Sequence, residues 1–337
     1  MNSASPGSGT PTYKFLNAEI GALTDLGGTE AFTATFSNVI VNGSSSTLIF
    51  TGTTGNTAIM VGPAYVNFGS SLVNFANVST IYLSPGAGTN PLTVIGNLTG
   101  NDTFTTTTNY ADLNSLAVNF SNISTVTINP GMGTDVLNVN SGPVNIAPQT
   151  PTAGILTRNF SSISIASNAS AFFSTAPLHS DRTVVETNTL SVMGQLDLGG
   201  NDMIVHNGNL AAITTLLTTG YANGQWNGTG ISSAAAHNDT THLTALGAIQ
   251  NTLYGGAGQP LFDGTAPLTS DILIKYTYYG DTNLDGKVDG TDYSRIDNAY
   301  LSAATGWYNG DFNYDGHIDG SDYTLIDNAF NTQRTAL

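Results

Sequence analysis

Two copies of one acidic loop, 30 residues apart, constrain this chain more than anything else in it. They read Gly280-Asp281-Thr282-Asn283-Leu284-Asp285-Gly286-Lys287-Val288-Asp289-Gly290-Thr291-Asp292 and Gly310-Asp311-Phe312-Asn313-Tyr314-Asp315-Gly316-His317-Ile318-Asp319-Gly320-Ser321-Asp322. Oxygen donors fall at loop positions 1, 3, 5, 9 and 12, with glycine at 6, the arrangement by which one short stretch of backbone wraps a hard cation such as Ca²⁺. The candidate ligands are therefore Asp281, Asn283, Asp285, Asp289 and Asp292, and Asp311, Asn313, Asp315, Asp319 and Asp322. Position 7 contributes a main-chain carbonyl, so Lys287 and His317 complete the two sets without using their side chains. Four carboxylates per loop exceed the charge of one ion and repel one another without it. Two bound Ca²⁺ are expected.

Each loop opens a short amphipathic helix. Tyr293, Ile296 and Tyr300 lie at i, i+3 and i+7, and Tyr323, Ile326 and Phe330 repeat the pattern. Upstream, Ile272 to Tyr279 reads as a strand and not as an entering helix. Loop then helix, with Asp at position 12, resembles the half-site of a type I dockerin more than a full EF-hand. That resemblance implies a calcium-ordered module on an extracellular protein and a cohesin partner recognised partly through a Ser/Thr pair at positions 10 and 11 and basic residues further along the helix. Here those positions hold Gly290-Thr291 and Gly320-Ser321, followed by Asp297-Asn298 and Asp327-Asn328 in place of the basic pair. A different use of the module is the expectation. The run from about Leu196 to the end also resembles the C-terminal region of large secreted surface proteins of planctomycete-type bacteria.

Charge narrows the partners. Seven Lys and Arg stand against 23 Asp and Glu, a net charge of −16, and much of the acidity sits in the paired loops. No basic stripe exists for a phosphate backbone, so nucleic acid is not expected as a partner. Cysteine is absent, which excludes disulfides, thiolate metal sites and cysteine nucleophiles. No apolar stretch reaches the roughly 20 residues of a membrane span. Extracellular calcium is plentiful enough for modest sites whereas cytosolic calcium is not, so a secreted, cell-surface location follows. Met1 to Thr12 shows neither a charged n-region nor a hydrophobic core, and a removed signal or another export route is expected.

A second repeat lies further upstream. Residues 74–89, from Asn74-Phe75-Ala76-Asn77 through Ile81-Tyr82-Leu83 to Pro85-Gly86, recur at 119–134, from Asn119-Phe120-Ser121-Asn122 through Val126-Thr127-Ile128 to Pro130-Gly131. Weaker echoes start at Phe36 and Phe160. Each unit reads strand, Pro-Gly-x-Gly turn, strand, with aliphatic residues alternating against Thr, Asn and Ser. The fold class is mainly β: a β-solenoid first, a two-sheet β-sandwich second, with the small helical module at the C-terminus. Three regions follow: a β-repeat body over 1–180, a mixed connecting region over 181–279 with a helix capped by Asn209, and the paired-loop module over 280–337. A further helix is expected at Ser232–Ala236 or Thr240–Gly247, and Leu253-Tyr254 reads as strand.

Catalytic patterns are missing. His179, His206, His237, His242 and His317 are scattered, and His237 and His242 lack the i, i+4 spacing of a helical zinc pair. The acids outside the loops sit beside Gly, Asn or Thr, where Asp is a turn residue. Trp226 and Trp307 are expected to anchor their loops on the domain beneath. A non-enzymatic structural role is the first reading: a self-assembling subunit of a surface layer or filament, a homo-oligomer or homopolymer. In it Tyr293, Tyr300, Tyr323 and Phe330 form a face that docks on the same chain or the next subunit. An adhesin with a cohesin-like or glycan partner is the alternative, and a secreted glycan-degrading enzyme the third.

Overall fold

The structure, a computed structural model, describes residues 12–16, 23–24, 29–33, 39–51, 56–69, 71–148, 154–176, 178–254 and 261–337, and the side chains of these from residue 47 onward except Ser71. The echo at Phe36 and the first eleven residues lie outside them. Two compact units divide the chain: Met1–Gly133 with Ser141–Asn145, and Thr134–Asn140 with Ile146–Leu337. The division at 180 and 279 drawn from composition is not where the contacts part. The later coils of the β array, the connecting region and the paired loops share one unit.

In the first unit parallel pairing runs from Val39–Thr51 to Ser71–Ser84 to Leu116–Phe120, and separately from Ile59–Gly62 to Pro91–Ile95 to Thr125–Asn129. Strands that return in parallel after a full circuit are coils of a solenoid, whereas a sandwich of successive hairpins gives antiparallel neighbours. Antiparallel arms link the parallel series: Tyr65–Phe68 pairs with both Ile59–Gly62 and Ser71–Ser84, and Tyr110–Leu113 with both Thr103–Thr107 and Leu116–Phe120. Inward positions stack in rows through successive coils: Leu48, Ile81 and Val118 form one, Ile59, Leu92 and Val126 another, all buried. At about 25 cal/mol per Å² these rows are the main stabilising term. Between them buried Asn90 accepts from Thr57 N at 2.9 Å and donates to Gly86 O at 2.8 Å and Asn122 O at 3.0 Å, tying turns of successive coils together.

The sequence repeat keeps its local shape but not its stacking. Asn77 and Asn122, equivalent in the two copies, both adopt left-handed backbone with φ of 60° and 56°, a conformation asparagine tolerates better than most residues. Yet Ile81 lies opposite Val118 and not its sequence counterpart Val126, which faces Leu92 instead. Corner positions decide which strands stack, and they differ from the repeat's own period.

In the second unit Thr134–Val139, Leu156–Ile165, Thr183–Val192 and Asp202–Val205 pair in parallel, as do Ala169–Phe173, Gln195–Asp197 and Gly230–Ser232. The array then stops turning. Asp202–Val205 pairs antiparallel with Ile272–Tyr278, which pairs antiparallel with Thr244–Gln250, so a hairpin covers the last parallel edge and leaves no open ladder there. Helix α1 (Leu210–Tyr221) starts where Asn209 accepts a hydrogen bond from Ala212 N at 3.0 Å and buries Ile213 and Leu217. Helix α2 (Ala234–Asn238) is the short helix expected near Ser232. The apolar run Thr240–Gly247 is not a helix: from Thr244 it becomes the hairpin strand, since its residues are buried on both faces. Leu253 closes a 3₁₀ turn where a strand was expected.

Candidate metal centre

Helices α3 (Gly290–Ser302) and α4 (Gly320–Thr332) follow the two acidic loops directly. Asp289 and Asp319 cap them, accepting from Thr291 N and Ser321 N, both at 2.7 Å. Asp292 and Asp322 reach back to Asp289 N at 2.9 Å and Asp319 N at 3.1 Å. Both helices thus begin with a capping box made from the loop residues at positions 9 and 12.

The loops share one backbone path. Leu284 and Tyr314 at position 4 have φ of 59° and 60°, and Gly286 and Gly316 at position 6 have φ of 86° and 83°. Two consecutive reversals of hand curl each loop into a ring, and glycine supplies the second without a Cβ penalty. Inside the rings Asp285 N donates to Asn283 Oδ1 at 3.3 Å and Asp315 N to Asn313 Oδ1 at 2.9 Å. Lys287 N and His317 N donate to the position-5 carboxylates at 3.1 and 2.9 Å, while the two side chains stay exposed.

A pseudo-twofold relates the halves. Ile326 of α4 packs over Gly280 and Ile296 of α3 over Gly310. Tyr293 donates to Asp327 at 2.5 Å and Tyr323 to Asp297 at 2.7 Å. The rings of Tyr293 and Phe330 meet edge to face at 5.5 Å, those of Tyr300 and Tyr323 at 6.3 Å. These four aromatic residues join α3 to α4, while Tyr300 and Phe330 stay 57 % and 46 % exposed.

Docking is done by side chains the ligand pattern leaves over. Tyr314 is buried and donates to Leu246 O at 2.5 Å, with Trp226 at 6.3 Å and Tyr221 at 6.1 Å. Trp307, 2 % exposed, stacks on Tyr314 at 5.8 Å and meets Phe312 edge to face at 5.1 Å, and its Nε1 donates to Asp281 O at 2.7 Å. A Cβ on Gly247 would stand 2.4 Å from the Trp307 ring and 2.8 Å from Leu284. The hairpin strand Thr244–Gln250 therefore seats both loops. Gly247→Ala is expected to cost about 1–3 kcal/mol by overpacking, read as a lowered melting midpoint with unchanged far-UV dichroism.

Burial sets the electrostatics. Asp281 is pushed up to about 7, chiefly by burial and further by Asp285 and Asp292, although the Thr277 hydroxyl and Gly286 N–H oppose it. Burial likewise raises Asp292, Asp311 and Asp322. Asp289 is lowered by the Thr291 N–H and Asp319 by the Ser321 hydroxyl and N–H. Hard oxygen donors, glycine-curled rings and partly neutralised buried carboxylates suit a divalent cation. In the second loop Asp311 Oδ1 is buried with no hydrogen-bond partner, an arrangement that costs free energy until something positive meets it. Among the described residues no three His, Asp or Glu side chains close on one point; position-3 amide oxygens and position-7 carbonyls supply the remaining donors of this loop type.

The sign of the pH dependence follows. Carboxyls raised by the fold stabilise it below their unfolded values and lose that contribution as pH climbs through the raised ones. Without calcium the melting midpoint is expected to fall between about pH 4 and about pH 7, the unfolded and raised values of Asp281. With calcium it is expected to rise over the same interval, because the ion competes with those protons.

Other sequence expectations are met or revised nearby. Trp226 is buried and donates to Tyr279 at 2.9 Å, so both tryptophans are anchors. His237 Nδ1 meets Gln225 O at 2.6 Å, a loop contact. His206 is not idle: it bridges Glu186 at 3.1 Å and Asp271 at 3.0 Å, partners 20 and 65 residues away that no local spacing reveals. Asp102, Asp197, Asp239 and Asp271 accept main-chain amides at turns.

Two loop–helix units of EF-hand type, related by a twofold and lacking entering helices, define the class of this module. The family model for the type I dockerin domain matches residues 279–331. The C-terminal module is a type I dockerin, a calcium-binding module, carried by a mainly β chain. No curated protein and no solved structure was found to match the chain. No helix among the described residues is long and apolar enough to cross a membrane.

Proposed function

We propose that this is an extracellular structural protein whose β coils carry a calcium-locked dockerin on a fixed seat, ready to join subunits into a surface layer or filament. Two Ca²⁺ fill the module. One is held by Asp281, Asn283, Asp285, Asp289, Asp292 and the Lys287 carbonyl, the other by Asp311, Asn313, Asp315, Asp319, Asp322 and the His317 carbonyl. The observation that carries the reading is Tyr314 and Trp307, buried against the hairpin strand at Leu246 and Gly247. A tethered module swings on a linker, whereas a seated one fixes direction, which ordered assembly needs.

A non-enzymatic role is supported by how several acids outside the loops are spent: Asp102, Asp197 and Asp239 accept main-chain amides at turns, and Asp202 and Asp263 sit in buried ion pairs. The tryptophans that could stack on sugar rings are both buried.

One observation favours a second reading, a cohesin-like protein partner. Gly290, Thr291, Gly320 and Ser321, at positions 10 and 11, are exposed, as are Asp297, Asn298, Asp327 and Asn328 on the outer helix faces. Light scattering separates the two. Self-assembly predicts that purified chain associates in millimolar calcium and disperses with chelator. A chain that stays monomeric in both, yet captures a cohesin domain only with calcium, would replace the first reading with the second.

A further inference from the structure

A buried ionic cluster lies on the hairpin away from the calcium loops. Lys275, 3 % exposed, points its Nζ at Asp263 Oδ2, 2.8 Å away, and at Asp202 Oδ2, 3.6 Å away. Arg182 Nε holds the same Asp202 oxygen at 2.6 Å, and its terminal nitrogen pairs with Asp263. Lys275 Nζ sits 5.6 Å above the ring of Phe262, which is fully buried and meets Tyr254 edge-on at 5.5 Å. Every member is pinned. Asp263 occupies a tight turn closed by Phe262 N to Thr265 O at 2.8 Å, and Asp202 Oδ1 accepts from Tyr276 N at 2.9 Å.

We propose that Lys275 Nζ and the Asp263 carboxyl condense into an intramolecular isopeptide bond, with Asp202 as the acid–base partner. Asp202 and Asp263 converge on Lys275 and Arg182, and carboxyls coupled in this way titrate as a pair. Burial drives Asp202 up, which makes it the member that holds a proton in the proposed step. Asp263, though burial opposes it, is held down by the hydrogen bond from Asp202 and by Lys275 and Arg182. The ammonium of Lys275 first passes a proton to the Asp263 carboxylate. The free amine then attacks Cγ of Asp263, forming the C–N bond. Asp202 donates its proton to the departing hydroxyl, which leaves as water, and takes the second proton from nitrogen. The products are one amide, one water and Asp202 protonated as before. No oxidant or cofactor is needed.

The driving force is the loss of a buried ammonium and a buried carboxylate, each costly to keep out of water. Arg182 keeps its contact with Asp202 Oδ2 at 2.6 Å and holds that carboxyl in place. Orientation supplies the rate: nucleophile and electrophile are already at contact distance in a rigid site. In a chain without cysteine, the bond would fasten the 262–265 turn to the strand that runs into the dockerin.

Intact-mass spectrometry of the purified full chain, incubated at neutral pH, tests this. The expected mass is one water below that of the sequence, with fragmentation placing a branch between Asp263 and Lys275. Lys275→Met, Asp263→Ala and the isosteric Asp202→Asn should each restore full mass, with folding checked by far-UV dichroism. Asp263 precedes Gly264, and a succinimide there also loses water; a deficit that persists in Lys275→Met or is abolished by hydroxylamine would overturn the proposal. So would full mass in the parent chain.

Discussion

Removing calcium from the full chain is expected to melt the C-terminal module and to loosen the hairpin beneath it. A site filled a thousandfold above its dissociation constant contributes about 4 kcal/mol to the folded state. The helices themselves have little else to hold them: α3 and α4 bury only Ile296, Ala299, Ile326, Ala329, Asp292 and Asp322. Ten acids between Asp281 and Asp327 then have only Lys287 and Arg295 among them as counter-charge. Calorimetry with and without chelator should show the high-calcium transition split, its lower part belonging to residues after about 244. A trace unchanged by chelator would mean that the loops are ordinary acidic turns.

Trp307→Ala carries the next largest effect. Deleting a fully packed indole costs about 3–5 kcal/mol, and the lost hydrogen bond to Asp281 O adds about 1 kcal/mol. The substitution removes contacts to Phe312 and Tyr314 together. Because Asp281 is position 1 of the first loop, calcium affinity is expected to fall with stability, measurable by titration calorimetry. Tyr314→Phe keeps the ring and loses only the bond to Leu246 O, so its cost should stay near 1 kcal/mol. Equal effects from the two would place the anchor at the hydroxyl and not in the aromatic packing.

What the sequence reveals here is what short-range spacing encodes. The ligand spacing, the glycine at position 6 and the helical stripes after each loop all lie within twenty-odd residues, and the structure shows both glycines in left-handed backbone and a helix directly after each loop. Alternation gave the β content, and the solenoid follows once strands pair in parallel. Stacking partners were not legible, because left-handed corners such as Asn77 and Asn122 set where a coil turns, and a repeat unit does not say which neighbour it will meet. The docking face was missed for a local reason. Leu284 and Tyr314 hold position 4, which supplies no ligand, yet left-handed backbone turns both toward the hairpin. Apolar residues at both copies of that position were the available signal. Ion pairs such as Arg182 with Asp202 and Asp263 join residues 20 and 81 apart and leave no pattern in the chain.

Hydrogen exchange across Thr244–Gln250, in calcium and after chelation, tests the seated, calcium-locked dockerin most directly. Protection of that strand should drop with that of residues 281–292 and 311–322, since Leu246 and Gly247 are covered by Tyr314, Trp307 and Leu284. Loops that open while the strand stays as protected as before would contradict the account.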